Sequence, residues 1–176
     1  MSISVGIRLT NIGIRERYMK DYDSRIFKQI DYKEEIQDSN FSDCEFYDCT
    51  MNEIVVKSCS FDSCKFYNCT IMNIEFQYTD MLNSEFYHCM LIGIDWSNIS
   101  KKYSITLPLS KTEACELRYN VFVHLNLKAY DFKGSNLEGS YFDDCNLEGA
   151  IFKGCILKGA QFKQNYKLYT GMFELS

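Results

Sequence analysis

The sequence predicts an all-β fold, a quadrilateral parallel β-helix of about six coils with an irregular N-terminal cap. Three observations predict it. EFYDC (45–49), KFYNC (65–69) and EFYHC (85–89) recur at intervals of 20 residues. Within that period lies one of five. Phe41, Phe46, Met51, Val56, Phe61, Phe66, Ile71, Phe76, Met81, Phe86, Leu91 and Trp96 are all apolar, as are Leu117, Phe122, Leu127, Phe132, Leu137, Phe142, Leu147, Phe152, Leu157 and Phe162. Third, the residues two before these centres are mostly small, and all nine cysteines stand among them.

A period of five is neither the 3.6 of a helix nor the 2 of a plain strand. Two residues separated by two point to the same side of an extended segment. Each pentad therefore offers one large and one small inward side chain, and its other three residues turn the chain outward. Those corners read S-D, D-S and N-E in the first half and K-G and E-G in the second. Four corners close a circuit of 20, and circuits stack as parallel strands about 4.8 Å apart.

The elements follow in order. Residues 1–35 carry no period of five and are expected to cap the first coil's edge. Residues 36–96 form the first repeat block. Residues 97–116 contain the only proline, Pro108. Trp96 to Leu117 spans one circuit plus one residue, which favours an irregular coil with a bulge over a projecting loop. Residues 117–162 form the second block. The tail, 163–176, carries Tyr166, Leu168, Tyr169, Met172, Phe173 and Leu175, an apolar set expected to cover the last coil or to form a dimer contact.

Composition narrows the function classes. The 176 residues are 46% apolar and 24% charged, which suits one folded array. No apolar run reaches membrane-spanning length and no signal-peptide pattern is present, so a cytoplasmic location is expected. The odd cysteine count without a CxxC fits free core thiols. A column of thiols stacked at strand spacing is linear, whereas zinc needs tetrahedral convergence. The net charge of −5 argues against direct nucleic-acid binding. His88 and His124 both fall at outward corners, and no catalytic motif is present, so neither an enzyme nor a cofactor is expected.

Two surface features remain as candidates for binding. Tyr47, Tyr67 and Tyr87 follow a centre directly and should stack as an exposed aromatic ladder. Such a ladder steadies neighbouring strands or supplies a contact surface. Residues 36–96 hold ten acids against Lys57 and Lys65, a net of −8, while the rest of the chain sums to +3. Asp43, Asp48, Glu53, Asp62, Glu75, Asp80, Glu85 and Asp95 are the candidate partner-binding acids of this block. At strand spacing the array is a rod roughly 30 Å long. B-DNA carries a charge every ~1.7 Å, so the rod matches DNA in sign and shape at lower charge.

The stretch SNLEGSYFDDCNLEGAIFKGCILKGAQF (135–162) resembles the pentapeptide-repeat family, whose consensus is A(D/N)LXX, and the resemblance extends over about 36–96 and 115–162. It implies right-handed coiling. The phrase LIGIDW (91–96), with two repeat blocks around a short interruption, is similar to the Qnr- and McbG-type members. These protect DNA gyrase and topoisomerase IV, some of them from quinolone antibiotics. The resemblance implies an acidic dimeric rod that mimics DNA in the topoisomerase's binding saddle. The ending GMFELS is shorter than the helical tail that joins protomers in those members. The alternative is an interaction scaffold with an unrelated protein partner and no topoisomerase role.

Overall fold

The computed structural model describes residues 19–99 and 109–166. Its strands are nearly all two to five residues long and pair only in parallel, in four sheets, one of which turns a corner, that together make a four-sided β-solenoid of about seven turns. Side one carries inward Tyr22, Phe41, Phe61 and Met81, continued by Leu127 and Leu147. Side two carries Phe27, Phe46, Phe66, Phe86 and Thr112, then Phe132 and Phe152. Side three runs Tyr32, Met51, Ile71, Leu91, Leu117, Leu137 and Leu157. Side four runs Ile36, Val56, Phe76, Trp96, Phe122, Phe142 and Phe162.

All 22 centres of the five-residue series point inward. They are buried, except that Phe76, Leu157 and Phe162 are half-buried. Burying one such side chain contributes about 1.5–3 kcal/mol. The phenylalanines also stack along the axis: Phe46 on Phe66 at 4.6 Å, Phe66 on Phe86 at 4.8 Å, and Phe122 on Phe142 at 4.6 Å. Coil spacing places the rings at the separation that offset stacking prefers.

The position two before each centre has a second role. Its side chain donates to the carbonyl of the centre one coil back: Cys69 Sγ to Phe46 O (3.5 Å), Thr79 Oγ1 to Val56 O (2.9 Å), Ser140 Oγ to Leu117 O (2.7 Å). The backbone N–H there can donate to the next such side chain, as Cys59 N–H does to Thr79 Oγ1 at 3.3 Å. Small residues with a donor and an acceptor therefore tie one coil to the next. All nine cysteines are free, and all but the half-buried Cys155 are buried. Burial pushes the Cys64 thiol up to about 12, which keeps it protonated and inert.

Corners require left-handed backbone. Asp38, Asp43, Asp48 and Glu53, the four corners of one circuit, have φ between +50° and +54°. Asp and Asn tolerate this region. In the second block glycines take it at five of nine corners, and several corners close into hydrogen-bonded turns, as Ser140 N–H to Leu137 O at 3.0 Å shows. Gly139 answers a further need: a Cβ there would lie 2.5 Å from the Tyr119 ring.

Two sequence expectations are corrected. Among the described residues the array is already present from Lys20, ahead of 36: strands Lys20–Asp23, Ile26–Lys28 and Asp31–Tyr32 pair with the next coil. That first circuit is one residue short, Lys20 pairing with Ser39, so counting back by fives from Phe41 misses it. Residues 1–18 of the expected cap lie outside the described residues. The interruption differs too. Tyr87 pairs with Glu113 and Asp95 with Val121, 26 positions on, where Tyr67 pairs with Tyr87 at 20. Trp96 thus stacks over Phe122, 6.5 Å away, rather than over Leu117. The insertion is six residues, and regular pairing has resumed by Lys111, after a bulge opposite Ser84/Glu85.

Candidate interaction surface

The pentad positions either side of each centre face outward, so the sheet register assigns every candidate residue to a side. Side one presents Asp21, Asp23, Asn40, Ser42, Ser60, Asp62, Asp80 and Leu82. Side four presents Gln37, Val55, Lys57, Glu75, Gln77 and Asp95. The corner these two sides share carries Asp38, Ser58, Tyr78 and Asn98. Asp43 and Glu53 stand at the two bounding corners. Over residues 20–96 this half of the rod is acidic, with Lys20 and Lys57 as the cations among the outward residues named.

The other half is close to neutral. On side two, Glu45, Lys65, Glu85 and Lys111 follow one another in register, so charges alternate along the column. Side three, over 50–92, presents Thr50, Asn52, Thr70, Met72, Met90 and Ile92, none of them charged.

Tyr47, Tyr67 and Tyr87 do stack on side two, at 4.7 and 5.0 Å with interplanar angles near 10°. They are half-buried rather than exposed, because each ring covers the next. Lys28 lies 5.1 Å over the Tyr47 ring and Lys111 lies 4.9 Å over the Tyr87 ring, closing the ladder at both ends. The outer hydroxyls donate to neighbouring carboxylates, Tyr47 to Glu45 at 2.7 Å and Tyr87 to Glu85 at 2.6 Å. That bond to Glu45 holds the Tyr47 phenol up at about 12. The ladder is thus internally satisfied, which accounts for it as a brace between coils.

A family model described as pentapeptide repeats matches residues 131–164 in eight copies, and the same five-residue geometry runs through the described coils on both sides of the interruption. The chain carries pentapeptide repeats. No curated protein matches the chain. Among solved structures, trypsin-treated QnrB1, a plasmid-mediated fluoroquinolone resistance protein, aligns at 16% identity over 89% of each chain with a TM-score of 0.45. Rfr23 from the cyanobacterium Cyanothece aligns at 14% identity over 85% of this chain and 86% of its own, TM-score 0.22. HetL, involved in heterocyst differentiation regulation in Nostoc, aligns at 12% identity over 84% of this chain and 86% of its own, TM-score 0.25.

In this solenoid the eight candidate acids do not form one face. Asp62 and Asp80 lie on side one, Glu75 and Asp95 on side four, and Asp43 and Glu53 at the corners that bound them. Asp48 turns away at the corner between sides two and three. Glu85 lies on side two, bonded to Tyr87 and 4.0 Å from Lys65. Asp95 also caps the short 3₁₀ turn Trp96–Asn98, accepting from Ser97 N–H at 3.0 Å and from Asn98 Nδ2 at 2.9 Å. Asp21, Asp23, Asp38 and Tyr78 belong to the acidic half and were not among the candidates. The 20-residue period that aligns 38, 58, 78 and 98 carries the signal for the corner pair.

Of the tail, Tyr166 is described: it bridges to Asn146 and is 65% exposed. Leu168, Tyr169, Met172, Phe173 and Leu175 lie outside the described residues. His88 and His124 stand at exposed corners, His124 with its Nδ1 2.9 Å from Asp144. Among the described residues no three His, Cys, Asp or Glu side chains could hold a metal ion, and no helix is long and apolar enough to cross a membrane.

Proposed function

We propose that the protein is a non-enzymatic binding protein whose acidic half takes the place of DNA on a basic protein surface. The segregation of charge carries this reading: acids gather on two adjacent sides and their corners, while the other two sides of the same block balance their charges or have none. Such a surface steers a basic partner to one orientation. Sequence resemblance to topoisomerase-protecting members points to DNA gyrase or topoisomerase IV as that partner, in the cytoplasm, with the protein acting as a dimer through its C-terminal tail. The test is gyrase supercoiling in the presence of a quinolone, with and without the purified protein. Rescue is expected. No rescue, together with no binding to gyrase at low salt, overturns the reading.

A second reading, an interaction scaffold for an unrelated protein, is favoured by the neutral sides two and three. Tyrosine edges and the Met72, Met90 and Ile92 surface would then make the contact. Loss of an isolated partner on substitution at Tyr67 and Met90, with gyrase binding absent, would select it.

A further inference from the structure

Tyr78 stands apart from every other tyrosine of the first block. Tyr22 stacks on Phe41, Tyr32 packs against the core, and Tyr47, Tyr67 and Tyr87 form the ladder. Tyr78 is 87% exposed, and among the described residues its ring and hydroxyl meet no partner. It also holds φ at +50, a region that disfavours a residue of its size. The same corner column is filled elsewhere by Asp38, Ser58 and Asn98, small polar residues that need no explanation there. Tyr119 holds the same backbone region at another corner, so the conformation is the fold's own; what sets Tyr78 apart is a bulky ring kept almost wholly in water.

Its surroundings point to what it meets. Tyr78 sits on the ridge where the two acidic sides join. Gln77 is its outward neighbour on side four; beyond it Glu75, which accepts from Gln77 Nε2 at 2.6 Å, and Asp80 on side one are both exposed. Below them lie Asp95 on side four and, above, Asp62 on side one. An aromatic face flanked by carboxylates is the complement of a guanidinium, which stacks on a ring while its N–H groups pair with carboxylates. A lysine ammonium would use the carboxylates but would gain less from the ring's plane.

Resting on the acidic-half reading above, we infer that Tyr78 is the anchor of that surface, the ring on which an arginine of the partner's basic surface stacks between Glu75 and Asp80. The contact adds position to an attraction that is otherwise diffuse. It gives the ridge a fixed point, as buried aromatic anchors do at other interfaces.

The experiment measures binding to the purified gyrase tetramer by wild type, Tyr78→Phe, Tyr78→Leu and Tyr78→Ala, with thermal melting of each variant as the folding control. Melting should be unchanged or raised, because the corner is exposed and smaller residues suit its backbone. The Phe variant should bind within about twofold of wild type. The Leu and Ala variants should weaken binding about tenfold, the loss expected of one desolvated cation–π contact. Equal binding by Tyr78→Leu and Tyr78→Phe would show that apolar bulk, not the ring face, is used and would overturn the arginine assignment. Unchanged binding by Tyr78→Ala, while Glu75→Lys with Asp80→Lys abolishes it, overturns the anchor and leaves the acidic half standing. No binding by wild type overturns both.

Discussion

Replacing Asn120 by leucine tests the register across the interruption. Asn120 occupies the position two before Phe122, in the column that holds Ile54, Ile74 and Ile94 above it, and is fully buried. Its Oδ1 accepts from Ile94 N–H at 2.8 Å and its Nδ2 donates to Leu91 O at 2.9 Å. Both partners lie 26 or more residues back, so these bonds exist only if the insertion is six residues long. Leucine nearly conserves volume but leaves a buried N–H and a buried C=O without those partners. Each orphaned group costs about 1–3 kcal/mol. Neighbouring Ile positions in the same column show that coils tolerate some such loss, which sets the expectation at the lower part of the range, about 2–4 kcal/mol. For a chain of this size that lowers the melting temperature by roughly 4–16 °C. Urea unfolding gives the free energy, and hydrogen exchange at the Ile94 amide localises it. Asn120→Ser, which restores the donor and acceptor that Ser140 supplies one coil on, should recover part of the loss. A change below about 0.5 kcal/mol with unaltered exchange at Ile94 would refute the pairing of Trp96 with Phe122.

Two further predictions follow from the columns and the ladder. Cys69→Asp places a carboxylate in a fully enclosed column and should unfold the array at neutral pH; circular dichroism that matched wild type would show the register to be wrong. The Tyr47 phenol, raised to about 12 by its bond to Glu45, should ionise later than an ordinary tyrosine. Because its folded value lies above its unfolded one, the bond stabilises the fold fully below pH 10 and is lost as pH climbs through about 12. Ultraviolet titration of Glu45→Gln should bring one tyrosine back toward 10, and an unchanged curve would contradict the assignment.

The five-residue period exposed the core almost completely, because a repeating side chain and a repeating backbone are the same fact in a solenoid. What it hid were places where the count changes by a residue or more. Tyr22, Phe27 and Tyr32 keep the spacing of five, but the one-residue-short first circuit sets them out of phase with Phe41. At the interruption, Leu117 is the first apolar centre after Trp96, yet it belongs under Leu91 on the aliphatic side, whereas Phe122 continues the column of Phe76 and Trp96. Column chemistry rather than distance would have distinguished them. The cysteines were legible as small core residues, but their hydrogen bonds to the carbonyls one coil back were not, since those need the stacking register. The candidate surface was least legible. Acids that alternate along the chain fall on three sides and at all four corners, and only the register separates Glu75 and Asp80, which share a ridge, from Glu85, which braces the ladder. Tyr78 escaped notice because corners are expected to hold small polar residues.

The central claim, that one half of this rod meets the partner, is tested most directly by two charge-reversal variants of equal net charge. One carries Asp62→Lys, Glu75→Lys and Asp80→Lys on sides one and four; the other carries Glu45→Lys, Glu85→Lys and Glu113→Lys on side two. Gyrase affinity is measured for both at low and physiological salt, where interface charge dominates association. The first variant should lose about a hundredfold or more and much of its salt dependence, while the second stays within about threefold of wild type. Equal losses in the two variants would mean that net charge alone matters, and a greater loss from side two would place the contact on the opposite half.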